Sequence, residues 1–229
     1  MTASEYAGAL QSCFIPYSNA YNAGRMSRYM LDKFEFSEFN RHSGKKLVAE
    51  FVHIHGLPSP EQLDDTVMHI WNLPQRELHY AIMEIASRKV YLTDPERIKL
   101  FEFMITTNSW WDTVDFIAAN LVGAWLVRHK AATENITQTF MQSDNMWLQR
   151  TVLLFQLKYK KETNHELLFA TIRQLNGSKE FFIRKAIGWA LREYSKTNPE
   201  SVISFTNNTE LSPLSRREAL KVVSKKGII

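Results

Sequence analysis

Trp111 and Asp115 stand four residues apart in Asn108-Ser109-Trp110-Trp111-Asp112-Thr113-Val114-Asp115. This is the first place in the sequence where chemistry could reside. Asn108 and Ser109 offer capping oxygens just before the aromatic run, so the stretch reads as the start of a helix. Positions i and i+4 are neighbours on one helix face, which sets a carboxylate beside an indole ring. The pair suits a cation, because the ring offers its quadrupole and the aspartate its charge. A plainer reading is equally available. In it the tryptophans are core, and Asp112 and Asp115 decorate the first turn, where the helix dipole favours them.

A second set of residues is basic: Arg150, Lys158, Lys160, Lys161, Arg184, Lys185 and Arg192, with Trp189 among them. Cations with aromatic neighbours on one surface suit a nucleic-acid groove, where they neutralise phosphates and fix the register of binding. The alternatives stay open at this point. Lysine and arginine cover most solvated helix faces, Trp189 taken alone reads better as core, and Arg150 could equally serve an ion pair within the protein. Other chemistries lack support. No Gly-rich phosphate loop or helical metalloprotease pattern is present, and His53 and His55 would point to different faces of a helix. No metal site and no cofactor are therefore expected.

The elements that would position these residues follow a repeat. Ser178 to Tyr194 stands 35 residues beyond Ser143 to Tyr159, and the two apolar patterns superpose. One further step back reaches the opening stretch, so that Asp115, Arg150 and Lys185 occupy equivalent positions. Each copy is followed by a second helical segment, such as 164–175. A two-helix unit of this period is the signature of an α-solenoid, in which equivalent helices line one concave face. The expected fold is all-α, one domain over residues 1–229, with Asp115, Arg150 and Lys185 facing one groove.

The rest of the chain agrees with a helical, globular class. Of its 229 residues 45% are hydrophobic and 23% charged, which excludes a disordered chain. Only 8 Gly and 7 Pro interrupt it, and the net charge of +4 matters only where basic residues cluster. A lone cysteine, Cys13, allows no internal disulfide and fits a reducing cytoplasm. Neither a signal-like segment nor an apolar run of membrane-spanning length is present. Helices are expected at 7–15, 22–33 and 45–55, the last ended by Gly56 and Pro58. Others should open at Pro60 and run to Trp71, at Pro74 and run to Lys89, and after Thr93-Asp94-Pro95-Glu96 and run to about Thr106.

The stretch 109–115, the repeat copies at 143–150 and 178–194, and the segments Asn198-Pro199 and Leu211-Ser212-Pro213-Leu214-Ser215-Arg216-Arg217-Glu218 closely resemble the AlkD family of DNA alkylation repair glycosylases. The likeness runs from about Arg28 to the C-terminus. It implies HEAT-like helical repeats around duplex DNA and excision of cationic N3- and N7-alkylated purines. It also implies Trp111, Asp115 and Trp189 as the residues of the catalytic cleft, Arg150 as the associated cation and Tyr29 nearby. Lys158, Lys185 and Arg192 join Arg150 and Tyr29 as expected DNA contacts. The implied protein is a monofunctional, metal-free, monomeric hydrolase of base excision repair.

The sequence departs from the family pattern between Asn19 and Lys45. The stretch Ser37-Glu38-Phe39-Asn40-Arg41-His42-Ser43-Gly44-Lys45 stands where the family usually carries a Gly and a Pro-x-x-Arg-like segment. Two alternatives therefore accompany the enzyme reading: a non-catalytic DNA-binding paralogue of the same fold, and a helical-repeat scaffold for proteins. The absence of metal-ligand spacing carries its own prediction. Release of 7-methylguanine from DNA should survive prolonged EDTA treatment, and activity that disappears and returns with zinc or magnesium would overturn the metal-free expectation.

Overall fold

The computed structural model describes residues 1–17, 20–36 and 41–228, with the side chains of 17, 20–22 and 41–43 outside the description. Among the described residues the regular structure is helical, apart from one isolated bridge pairing Glu35 with Gln75. The all-α expectation holds. The chain divides into two compact units, Met1–Leu100 and Phe101–Ile229.

In the first unit, helix α1 (Ala3–Phe14) opens with a capping box. Thr2 Oγ1 accepts from the Glu5 backbone N–H at 3.2 Å, and Glu5 accepts from the Thr2 N–H at 2.7 Å. Its Tyr6, Ala7, Leu10 and Phe14 form the buried stripe that the 3.6-residue period demands. Helix α2 (Ala20–Tyr29) is followed by Leu31 and Asp32, both in the left-handed region. Helix α3 (Arg41–His55) stops at Gly56, whose φ of 77° suits the residue without a Cβ. Helices α4 (Leu63–Trp71) and α5 (Arg76–Ala86) pack together, α4 also against α1 and α5 against α3. Their starts lie later than Pro60 and Pro74 suggest. The chain turns first through 59–62, where the Gln62 N–H reaches the Ser59 carbonyl, and α5 waits until the Arg76 N–H has reached the Glu35 carbonyl. Before α6 (Arg97–Thr106), Asp94 Oδ1 accepts from the Glu96 N–H at 2.9 Å, as the Asp-Pro signal leads one to expect. The divergent stretch 37–40 and Asn19 lie outside the described residues.

The second unit carries the repeat. Helix α7 (Trp111–Ile117) runs through a wide π-helical turn, Ala118–Val122, into α8 (Gly123–Arg128), and α9 (Thr133–Gln142) completes that helix pair. Helices α10 (Met146–Leu154) and α11 (His165–Leu175) form the next pair, and α12 (Phe181–Tyr194) and α13 (Pro199–Asn207) the one after, with α14 (Pro213–Lys225) last. Side-chain oxygens of Asn145, Asn164, Asn198 and Ser212 cap α10, α11, α13 and α14. In α13 and α14 a proline takes the first helical position, where no backbone donor is lost. The equivalent helices stack in order, α7 on α10 and α10 on α12, with α14 closing against α12. Leu153, Leu154, Ile187, Leu191, Val202 and Phe205 belong to one continuous core.

The α12–α14 contact is set by a glycine. A Cβ added at Gly188 would meet Glu218 Cβ at 2.5 Å and the Ser215 carbonyl oxygen at 2.7 Å. Neither neighbour can yield without parting the two helices. Gly188→Ala should therefore cost about 2 kcal/mol or more of stability through overpacking. Gly8, inside α1, has open space around its missing Cβ, and Gly8→Ala should add about 0.5–1 kcal/mol. Thermal unfolding of the two variants should move in opposite directions, and a neutral Gly188→Ala would contradict the close crossing.

Candidate active site

Asp115 lies on α7, one turn beyond Trp111, at the i+4 spacing read from the sequence. The capping that the sequence suggested is different in fact. Asn108 adopts the left-handed conformation, and the Ser109 hydroxyl donates back to the Ile105 carbonyl. The N-cap position falls to Trp110, whose side chain accepts no hydrogen bond from the helix. The serine hydroxyl thus closes the preceding turn and is unavailable to cap the next helix. Asp112 does sit in the first turn of α7, where the dipole favours it.

The Asp115 carboxylate meets the Arg150 guanidinium in a bidentate pair, with Nε donating to Oδ1 at 2.8 Å and one terminal nitrogen to Oδ2 at 2.9 Å. The other terminal nitrogen donates to the Phe182 carbonyl oxygen. The Arg150 side chain is 3% exposed and that of Asp115 13%, so the pair is largely withdrawn from water while the carboxylate keeps an opening to it. Burial pushes the Asp115 carboxyl above the ordinary aspartate range. The charge and hydrogen bonds of Arg150 pull it back, and Asp112 adds slightly to the rise. A carboxylate in such a place is a preorganised negative charge.

Aromatic rings cluster beside Arg150. Trp110, Trp147 and Phe182 form a triangle with centroid separations of 5.8, 5.1 and 5.0 Å. The Arg150 guanidinium carbon lies 5.8 Å from the Phe182 ring centre, within reach of its quadrupole. Phe182 was not singled out by the sequence reading. Its signal was available, because it stands 35 residues beyond Trp147 in the repeat.

The remaining expected residues fall at several places. Trp189 is partly buried against the core on α12, one turn beyond Lys185. Lys185 Nζ lies 3.0 Å from one Glu218 oxygen, and Arg192 donates to the other at 2.6 Å. Glu218, whose side chain is 8% exposed, thus holds two cations of α12, Lys185 and Arg192, from α14. It belongs to a quoted segment but received no role from sequence. Lys158 donates to Asn120 of the wide turn. Tyr29 ends α2 in the first unit and is 65% exposed. Among the described residues no group of three or more His, Cys, Asp or Glu side chains could hold a metal ion, and no helix is long and apolar enough to cross a membrane.

The family model of DNA alkylation repair enzymes matches residues 10–223 of this chain. The chain belongs to that family. A solved structure, a predicted DNA alkylation repair enzyme from Enterococcus faecalis, shares 32% sequence identity at a TM-score of 0.83, covering 91% of this chain and 97% of that one. AlkD2 from Streptococcus mutans is similar in fold at 18% identity and a TM-score of 0.60, over 82% of this chain and 90% of its own. The smu.31 protein of Streptococcus mutans UA159 is similar in the same sense, at 17% identity and a TM-score of 0.58, over 80% and 97%. No curated protein matches the chain. The family resemblance read from the sequence is thus correct.

The Glu218 fork has a pH signature. The hydrogen bond from Lys185 and the charges of Lys185, Arg192 and Lys221 hold its carboxyl below the ordinary glutamate range. A depressed folded-state pKa contributes stability above the unfolded pKa, and the contribution is lost as pH falls through the folded value. Glu218→Gln should therefore destabilise by on the order of 2 kcal/mol at about pH 7, with the difference from the unaltered protein shrinking toward about pH 3. Urea unfolding at both pH values measures it, and a pH-independent difference would contradict the fork.

Proposed function

We propose that this chain, taken as one functional domain over residues 1–229, is a monomeric DNA glycosylase acting in cytoplasmic base excision repair. It hydrolyses the N-glycosidic bond of cationic N3- and N7-alkylated purines in duplex DNA. The observation that carries this reading is the bidentate Asp115–Arg150 pair, largely buried yet with the carboxylate still partly exposed, in a member of a DNA alkylation repair family.

The chemistry fits that carboxylate. An N3- or N7-alkylpurine already bears positive charge, so it departs with the bonding electron pair as a neutral base and needs no general acid. Positive charge then develops on the sugar as an oxocarbenium, as in other glycoside cleavage. Asp115 offers a fixed negative charge where this develops, in surroundings that screen it less than water would. Arg150 keeps the carboxylate ionised against its burial and fixes its orientation. Water adds at the anomeric carbon and loses one proton to bulk solvent, leaving a neutral sugar hydroxyl. No lysine is assigned as a covalent nucleophile, which makes the enzyme monofunctional. Trp111 and Trp189 hold the cationic nucleotide through their ring faces. Tyr29, Lys158, Lys185 and Arg192 contact the DNA backbone and set its register.

A second reading has an observation in its favour. Arg150 engages both oxygens of Asp115, which is also what a purely structural ion pair in a non-catalytic DNA-binding relative would look like. Asp115→Asn separates the two. Loss of a preorganised charge should slow single-turnover release of 7-methylguanine about a hundredfold, corresponding to about 3 kcal/mol of barrier. Removing one charge of so buried a pair should also lower stability by roughly 3 kcal/mol, so rates are compared well below the unfolding temperature of both proteins. In the unaltered enzyme the ionised carboxylate is the active form. Because burial raises its pKa, the rate should fall on acidification at a higher pH than for a free aspartate. A folded variant that releases base at the unaltered rate would give Asp115 to the structural reading.

A further inference from the structure

The wide turn in the α7–α8 helix has a polar consequence. Within Ala118–Val122 the backbone loosens to π-type bonding, with the Gly123 N–H reaching the Ala118 carbonyl. Asn120 lies in this turn, and its side-chain nitrogen donates to the Phe116 carbonyl oxygen at 2.8 Å. That bond fixes which way the amide faces. The amide oxygen is directed outward, and there it accepts from Lys158 Nζ.

Lys158 is itself bracketed by two docking points. A Cβ added at Gly123 would lie 2.2 Å from the Phe155 carbonyl oxygen, so the chain leaving α10 rests on bare backbone at the start of α8, just past the turn. The Tyr159 hydroxyl then donates to the Gly123 carbonyl oxygen at 2.7 Å. Between these anchors the exposed Lys158 has little freedom in where its backbone sits. Its ammonium differs in partner from the other expected DNA-contacting cations. Arg150 is spent on the Asp115 carboxylate, and Lys185 and Arg192 share the Glu218 carboxylate. Lys158 is held by a neutral amide, which takes one of three N–H donors without cancelling the charge.

We propose that Asn120 is a positioning residue, holding the Lys158 ammonium so that its full charge and two remaining donors meet a backbone phosphate of bound DNA. This role rests on the DNA reading above. Holding the lysine in place before binding reduces the rotamer freedom that the phosphate contact would otherwise remove. The π turn thereby has a use: it turns Asn120 toward the chain leaving α10 and leaves room for Gly123 to receive that chain.

The test is duplex DNA affinity, measured by fluorescence anisotropy across a salt series for the unaltered protein, Asn120→Ala, Lys158→Ala and the double variant. Lys158→Ala should lower affinity about fivefold to tenfold and flatten the salt slope by about 0.9, the value of one phosphate contact. Asn120→Ala should lower affinity about threefold, and it should have no further effect once Lys158 is gone. A structural role for Asn120 would instead give losses that multiply, and multiplied losses would overturn the proposal. Should Asn120→Ala prove too unstable to measure, Asn120→Asp keeps the side-chain shape and pairs the lysine's charge. It should reproduce the flattened slope of Lys158→Ala, and an unchanged slope would overturn the proposal. Failure of the unaltered protein to bind duplex DNA at low salt would overturn the DNA reading as well, whereas normal binding with independent losses would sink the role of Asn120 alone.

Discussion

The second unit depends on one ion pair. Arg150 is a cation almost wholly removed from water, and such a charge is tolerable only when its nitrogens find acceptors. Asp115 supplies two acceptors and the Phe182 carbonyl a third, so three successive equivalent helices are tied through one guanidinium. Phe182, packed against Trp110 and Trp147, also sets its ring beside the guanidinium. The same burial that makes the pair structural gives the carboxylate its chemical potential. A negative charge held rigidly by two hydrogen bonds and largely withdrawn from water is what an emerging sugar cation would require.

The cations around this pair are arranged in two ways. Lys185 and Arg192 are both drawn to Glu218 across the α12–α14 contact, where the absent Cβ of Gly188 lets the helices approach. One glutamate thus fixes two positive groups at a set spacing, and the surplus charge of that trio is one. Lys158 keeps its whole charge. A phosphate backbone laid along such a surface would meet uneven fields, strongest where the partner is an amide and weaker where it is a carboxylate.

Much of this was legible in the sequence because a repeat makes distant residues equivalent. The 35-residue step that aligned Asp115 with Arg150 is the separation across which their side chains bond. The cap–proline pairs Asn198-Pro199 and Ser212-Pro213 announce their helices locally and correctly. What escaped the reading has physical reasons. Asn108 and Ser109 look like caps, yet the left-handed turn at Asn108 directs the serine hydroxyl to the helix behind it. Glu218 acts across α12 and α14, a distance in sequence of 26 to Arg192 that no local pattern encodes. The partner of Lys185 is equally remote, because its carboxylate comes from α14 and not from the repeat that aligns it with Arg150. The wide turn at Ala118–Val122 leaves no compositional trace, since Ala-Ala-Asn-Leu-Val would equally form an ordinary α-helix.

That turn can also be counted as arithmetic. A π-helical turn is equivalent to one residue inserted into an α-helix, and one residue corresponds to about 100° of rotation. The segment carrying Asp115 and the segment carrying Gly123 are therefore out of phase with each other by roughly that angle. A regular helix over the same length could aim Asp115 at Arg150 or lay Gly123 against Phe155, but not both. Shortening the chain by one residue there would mend the hydrogen-bond ladder and ruin the fit on one side. The irregularity is a phase correction, and length at this point of the chain is as constrained as residue type.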